Sequence, residues 1–372
     1  MRDLYFFIGT EAEIMKMFIV IKKARDVGFC CRVIASGQND ISDSPFMRFC
    51  DSQVDIDLSR YMPKDKSSVA YLRWLNMTTK YGIKYMKKVV AAYEESNRPV
   101  MIVHGDTLST LMGAVIAKSA GMPHVHVEGG FRSYNWLNPF PEEIDRYFAS
   151  KYAEIVFCPN REATLLAEKN SKGEAVNTNY NTNIETLEYA YQVIGKSEIK
   201  RVYEGRYFVS AIHRQENLMS RKFMRAMIKS LLILAEKIHC LFICHRQTED
   251  ALEKYGIMES IKSNSNITVV QRLDYFQFID AVDKAEFLVA DGAGNQQEMY
   301  YMGKPYLIMR KNIENDSEGL GYNCIGFHNN FKIVERFDEE YMKYKHDKVS
   351  PKEFPSDIII SKLIEKYSGG EK

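Results

Sequence analysis

Three carboxylates stand out by where they fall. Asp106 follows the apolar run Met101–His104, Glu128 follows His124–Val127, and Glu142 opens a segment with helical spacing. In an open parallel sheet, ligands bind beyond the carboxyl ends of the strands. Acids at those ends are expected to converge on one crevice. Taken singly, each reads as a helix cap or as a first-turn acid matched to the helix dipole. Taken together, clustered like charges resist shared ionisation and raise one another's proton affinity. That suits general acid and base work near neutrality.

A second set lies further along the chain. His213 and Arg214 follow the apolar run Tyr207–Ile212, where a His beside an Arg can hold a diphosphate, move a proton or merely fix a loop. Asp291–Gly292–Ala293–Gly294 sits between a strand and a helix, so its backbone N–H groups offer an anion site at a helix start. Glu298, about one turn into that helix, is placed to reach ribose hydroxyls. His124 and His126 share one face of their strand, but no HExxH or Cys/His ligand set accompanies them, so no metal is expected.

The elements that must position these groups form two α/β series. Leu4–Ile8, the turn at Gly9 and the helical pattern Glu11–Arg25 open the first. Strands at Arg32–Ala35, Asp55–Leu58, Met101–His104, His124–Val127 and Glu154–Cys158 continue it, with a loop over Pro63–Ser68, a long helix over Val69–Glu95 and a helix over Asn160–Asn170. Pro139 and Pro141 before Glu142 and Glu143 mark a helix start. The polar, Asn-rich stretch VNTNYNTNIETLEYA (176–190) suits a domain crossover. The second series has strands at Tyr207–Ile212, Cys240–Cys244, Ile267–Val270, Phe287–Ala290 and Tyr306–Met309. Two doubly wound series predict an α/β protein of two Rossmann-like domains facing across a cleft. The expected division is 1–178, carrying the acids, and 179–355, binding the nucleotide, with a C-terminal helix within 356–372 crossing back to the first.

Composition narrows the partners. Lys and Arg total 50 against 49 Asp and Glu, so no global field draws the protein to nucleic acid or to a membrane, and an anionic ligand must be held locally. No apolar run approaches the roughly 20 residues that span a bilayer. The seven cysteines form no CxxC pair, and most sit in apolar runs as expected of reduced core thiols. A cytoplasmic location follows as the expectation.

The motifs HGDTLSTL (104–111), HVEGGFRS (126–133), PFPEEIDR (139–146), HRQEN (213–217) and DGAGNQQEMYYMGKP (291–305) together resemble the UDP-N-acetylglucosamine 2-epimerase family, chiefly its non-hydrolysing branch. The resemblance implies a fold like that of GT-B glycosyltransferases, a UDP-activated 2-acetamido sugar as substrate and a homodimer. It implies elimination of UDP to a 2-acetamidoglucal and re-addition with inversion at C2, in surface polysaccharide synthesis and with no nicotinamide or other cofactor. It places Asp106, Glu128, Glu142 and His213 at the catalytic positions. Gly9, Lys16, Arg132, Arg146, Arg214, Gly292, Ala293, Gly294 and Glu298 fall at substrate-binding positions. The departures lie in the anion clamp. Glu11 stands where the family pattern GTRPEAIK has Arg, Gly292 and Ala293 replace its Ser-Gly, and Ile313–Ser317 replaces a segment that carries another Arg. Gln38–Ser42 aligns only loosely with the segment linked to allosteric activation. These changes keep open a different sugar, an altered nucleotide or a hydrolysing relative that releases free sugar. The rival readings are a GT-B glycosyltransferase, against which the HGDT and PEE motifs speak, and a non-catalytic binder, against which the three acids speak.

Overall fold

The central strands of the first half are short and almost wholly apolar, which is what a parallel sheet covered by helices on both faces demands. In the computed structural model, which describes residues 1–59, 68–134, 142–196, 203–292, 294–310 and 319–368, the strands of this half are β1 Leu4–Ile8, β2 Cys31–Ala35, β3 Val54–Asp57, β4 Val100–His104, β5 His124–Val127, β6 Ile155–Cys158 and β7 Glu174–Asn177. They form one parallel sheet in the order β3-β2-β1-β4-β5-β6-β7. Every residue of β1, β4, β5 and β6 is buried. The first helix, Glu11–Asp26, begins with a capping box between Thr10 and Glu13 and buries Ile14, Met17, Phe18, Ile21 and Ala24 at helical spacing.

The second half repeats the plan. Strands β8 Tyr207–Ala211, β9 His239–Cys244, β10 Ile267–Gln271, β11 Leu288–Ala290, β12 Tyr306–Ile308 and β13 Cys324–Gly326 form a parallel sheet in the order β10-β9-β8-β11-β12-β13. Its core is an apolar cluster that includes Phe208, Met224, Leu231, Phe242, Phe287 and Leu307. Counted from its own first strand, this order is 3-2-1-4-5-6, the dinucleotide-binding arrangement, and the first six strands of the N-terminal sheet have it too. The α/β class and the two Rossmann-like units are therefore as expected.

The chain divides into two compact units, Met1–Thr186 with Pro351–Lys372, and Leu187–Ser350. The C-terminal helix Pro355–Tyr367 joins the first unit through a small polar knot. Lys23 Nζ donates to Asp357 at 2.6 Å and to Glu185 at 3.3 Å, and Glu185 accepts from the Ser356 N–H at 2.8 Å and from its hydroxyl. The polar stretch read as a crossover holds the end of β7 and the first turns of the helix Asn183–Lys196. The loop at Pro63–Ser67, the helix start at Pro139–Pro141, Ala293 and the segment Ile313–Ser317 lie outside the described residues.

Candidate active site

In both sheets the chain reverses its winding direction between the first and fourth strands, and that switch point is where such folds hold ligands. In the first unit the segments leaving β1, β4 and β5 meet there. Gly9 ends β1 against the start of the helix Leu108–Ala120. A Cβ on Gly9 would lie 1.9 Å from Ser109 Oγ and 2.7 Å from Ser36 Oγ, so only glycine lets the two segments approach. Glu13 locks the same corner. Its carboxylate accepts from the N–H groups of Gly9 at 2.5 Å and Thr10 at 3.2 Å, and from the Thr107 hydroxyl at 2.5 Å.

Lys16, one turn further along the helix, reaches across to Glu128. Its Nζ donates to both carboxylate oxygens, at 2.9 and 2.8 Å. His104, the last residue of β4, brings Nε2 to 2.8 Å from Glu128 Oε2 on the adjacent strand. Burial by itself raises the pKa of Glu128, but Lys16 and His104 outweigh it and hold the carboxyl well below its usual range. The expectation that clustering raises the proton affinity of all three acids therefore fails at Glu128, because two nitrogen partners face it. Glu128 also takes a left-handed backbone, φ 60°, which is uncommon for a residue other than glycine and turns the chain sharply out of β5.

Asp106 and Glu142 both lie close to Asp145. Arg146 holds Asp106 Oδ2 from Nε at 2.9 Å and from Nη2 at 2.6 Å. Glu142 begins the helix Glu142–Lys151, and its buried Oε2 has no hydrogen-bond partner among the described residues. Arg132 braces the loop after β5. It donates to Glu143 at 2.7 Å and to Asn170 at 3.3 Å, while Glu143 also accepts from the Ser133 and Tyr134 N–H groups. Glu11 accepts a 2.8 Å hydrogen bond from the Ser44 hydroxyl. His126 donates from Nε2 to the Gly105 carbonyl at 2.7 Å and accepts at Nδ1 from Ser150 at 2.9 Å. Burial drives its pKa down to about 4, so the ring is neutral. Among the described residues no cluster of His, Cys, Asp and Glu is arranged to hold a metal ion.

The second unit assembles its own group at the β8–β11 switch point. Asp291, fully buried at the end of β11, accepts from the N–H groups of His213 and Arg214, both at 3.0 Å, and from Asn217 Nδ2 at 2.9 Å. It therefore shapes the loop that presents His213 and Arg214. The His213 ring stacks on His245 with centroids 5.0 Å apart, and its Nδ1 is 3.5 Å from Asp291 Oδ1. Burial, followed by the charges of His213 and Arg272, lowers the pKa of His245. Gly292 packs so that a Cβ would lie 2.9 Å from Asn295 Nδ2 and 3.3 Å from His213 Cε1. The Tyr306 hydroxyl donates to the Gly292 carbonyl at 2.9 Å. The helix Gly294–Met302 begins beside this loop, and Glu298, on its first turns, is buried next to Tyr275.

The structure thus gathers Gly9, Lys16, Asp106, Glu128, Glu142 and Arg146 in the first unit. It gathers His213, Arg214, Gly292, Gly294 and Glu298 in the second. Sequence reasoning passed over Glu13, His104, Asp145 and His245. The Thr10–Glu13 capping-box spacing was the available signal for Glu13. His104 reads as a strand residue, and Asp145 as one more acid on an exposed helix. His245, like His213, directly follows a strand, and that position was its signal.

Two doubly wound units, each with polar groups at its switch point, define a two-domain α/β protein of the GT-B-like class. The model of the UDP-N-acetylglucosamine 2-epimerase family matches residues 22–341. The chain belongs to that family, whose members are isomerases. A UDP-N-acetylglucosamine 2-epimerase homolog of Methanococcus maripaludis is 28% identical over 68% of this chain and 72% of its own length. Among solved structures, the UDP-GlcNAc 2-epimerase of Neisseria meningitidis bound to UDP-GlcNAc superposes with a TM-score of 0.80 at 22% identity, covering 98% of this chain and 100% of that one. The Methanocaldococcus jannaschii enzyme in complex with UDP-GlcNAc and UDP gives 0.76 at 20% identity, covering 98% and 99%.

Proposed function

We propose that the protein interconverts a UDP-2-acetamido sugar and its C2 epimer, of the UDP-GlcNAc/UDP-ManNAc kind. The observation that carries this reading is the set of acids at the first switch point, each held differently: Glu128 by Lys16 and His104, Asp106 by Arg146, Glu142 with a free buried oxygen. A C2–H with no neighbouring carbonyl is a poor acid, so its removal has to accompany departure of a good leaving group. A carboxylate of this set takes the C2 proton. The C–H electron pair becomes the C1–C2 double bond, and the C1–O pair leaves with UDP. Re-addition of UDP to C1 and delivery of a proton to the opposite face of C2 complete the inversion. His213, Arg214 and the N–H groups at the start of the helix Gly294–Met302 are assigned to the diphosphate, and Glu298 to the ribose.

Hydrolysis is favoured by one observation. Glu11 stands at a clamp position and carries negative charge bound to Ser44, so UDP is less firmly retained and water has a chance at C1. Incubation with UDP-N-acetylglucosamine in deuterated water, followed by NMR, separates the readings. Epimerisation predicts deuterium at C2 with the UDP linkage intact. Free sugar plus UDP would replace it with the hydrolytic reading, and turnover only on adding an acceptor sugar would point to glycosyl transfer.

We further propose a homodimer acting in the cytoplasm and supplying sugars for surface polysaccharide. Val69, Leu72 and Met77 expose apolar side chains on the helix Ser68–Val90, a face that a second copy would cover. Light scattering reads the outcome directly: a mass of one chain would overturn the dimer.

A further inference from the structure

Asp145 is an unexplained buried acid. It lies three residues beyond Glu142 on the helix Glu142–Lys151, so Glu142, Asp145 and Arg146 share one helix face. It is 1% exposed, and neither carboxylate oxygen has a hydrogen-bond partner among the described residues. The charged groups that face it are Asp106 from the turn after β4, and Glu142 and Arg146 from its own helix. Arg146 is bound to Asp106 by two contacts on one oxygen. One cation therefore serves three acids. A carboxylate buried without partners is costly, whereas its neutral acid costs much less.

We propose that Asp145 is a positioning residue of this acid group, holding a proton so that it adds no negative charge beside Asp106 and Glu142. The inference rests on the epimerase reading for its catalytic consequence, but the protonated state stands on the geometry alone. Burial first, then Asp106 and Glu142, push its pKa up to about 7 against the pull of Arg146. When the proton leaves, a negative charge appears beside Asp106 and Glu142. Their proton affinities rise, and the balance between the acid and base forms shifts away from the working state.

The test compares kcat/KM for UDP-N-acetylglucosamine from pH 5.5 to 9 in the wild type and in Asp145→Asn, which keeps the shape of the neutral acid but has no proton to lose. A wild-type alkaline limb set by a group near pH 7 is expected. Its removal should raise the ratio of the rate at pH 8 to that at pH 6 about tenfold. Superimposable profiles would overturn the proposal. Carbon-13 carboxyl NMR of wild-type protein labelled at aspartate needs neither turnover nor a folded variant: one aspartate should titrate near neutrality. If every aspartate titrates below pH 5.5, the proposal is wrong whatever the enzyme does. If the neutral titration is present but no UDP sugar is turned over or exchanged, the functional reading fails and Asp145 keeps its proton-holding role.

Discussion

Glu128 and Asp145 are both buried acids, yet their surroundings push them in opposite directions. Glu128 has Lys16 and His104, so its charged form is favoured. Its contribution to stability is present above the unfolded carboxyl range near pH 4.5 and is lost as pH falls through the depressed folded value. Lys16→Met removes the cation that faces this buried carboxylate. The variant should lose roughly 3 kcal/mol at pH 7, with a smaller loss below pH 4, in denaturant titrations at each pH. An equal loss at both would show that the effect is packing. Asp145 behaves in the reverse sense. Its folded pKa of about 7 lies above the unfolded 3.8, so the penalty grows as pH rises from about 4 to 7. Asp145→Asn should therefore stabilise the protein by roughly 2–4 kcal/mol at pH 8 and leave it nearly unchanged at pH 3.5. Stabilisation that does not vary with pH would contradict the assignment. The positions of Asp106, Glu128 and Glu142 were legible in the sequence because strand ends are. The state of each acid was not, because it depends on Lys16 and His104, which come from other elements, and on a burial that the polar helix pattern of residues 142–151 conceals.

Among elements, those that carry the site were the most legible. Buried parallel strands such as β1, β4 and β8 are continuous apolar runs ended by glycine or a polar group, and their bounds are nearly those read from the chain. Two edge strands were missed. β7, Glu174–Asn177, is only half covered and has no apolar alternation, and β13 is three residues long. Edge strands bury less, so their composition signals less. The turn at Gly9 was visible, but its counterpart was not. Ser109 comes from a helix about a hundred residues later, and its Cβ and Oγ would meet a new Cβ at 2.4 and 1.9 Å. Gly9→Ala should cost roughly 1–3 kcal/mol through overpacking and displace Thr107 and Asp106 along with the helix start. The Gly9→Ala/Ser109→Gly double variant should recover part of the melting temperature, with a coupling energy above the roughly 0.5 kcal/mol seen for independent sites. Simple additivity would show that the strain lies elsewhere.

For the molecule as a whole, one strand order is used twice, and each copy puts its polar groups at the same switch point. Membership of each unit is less obvious from the chain than the strand order. Residues 351–372 belong with the first unit although the second lies between them in sequence. The attachment is the Lys23–Glu185–Ser356–Asp357 knot together with an apolar face of the helix Pro355–Tyr367. There Ile359 and Leu363 are fully buried and Tyr367 is 1% exposed, its hydroxyl donating to Glu154 at 2.9 Å. Leu363→Ala removes buried methyl groups from this face and should destabilise by roughly 2–5 kcal/mol. If the two units are separate cooperative blocks, the loss is confined to one of them. Hydrogen exchange followed by mass spectrometry should then show faster exchange in peptides of β1, β2 and β6, with peptides of β8, β9 and β11 unchanged. Equal acceleration across both sheets would mean that the units open as one body, and that the terminal helix stabilises the whole chain rather than the acid-bearing unit alone.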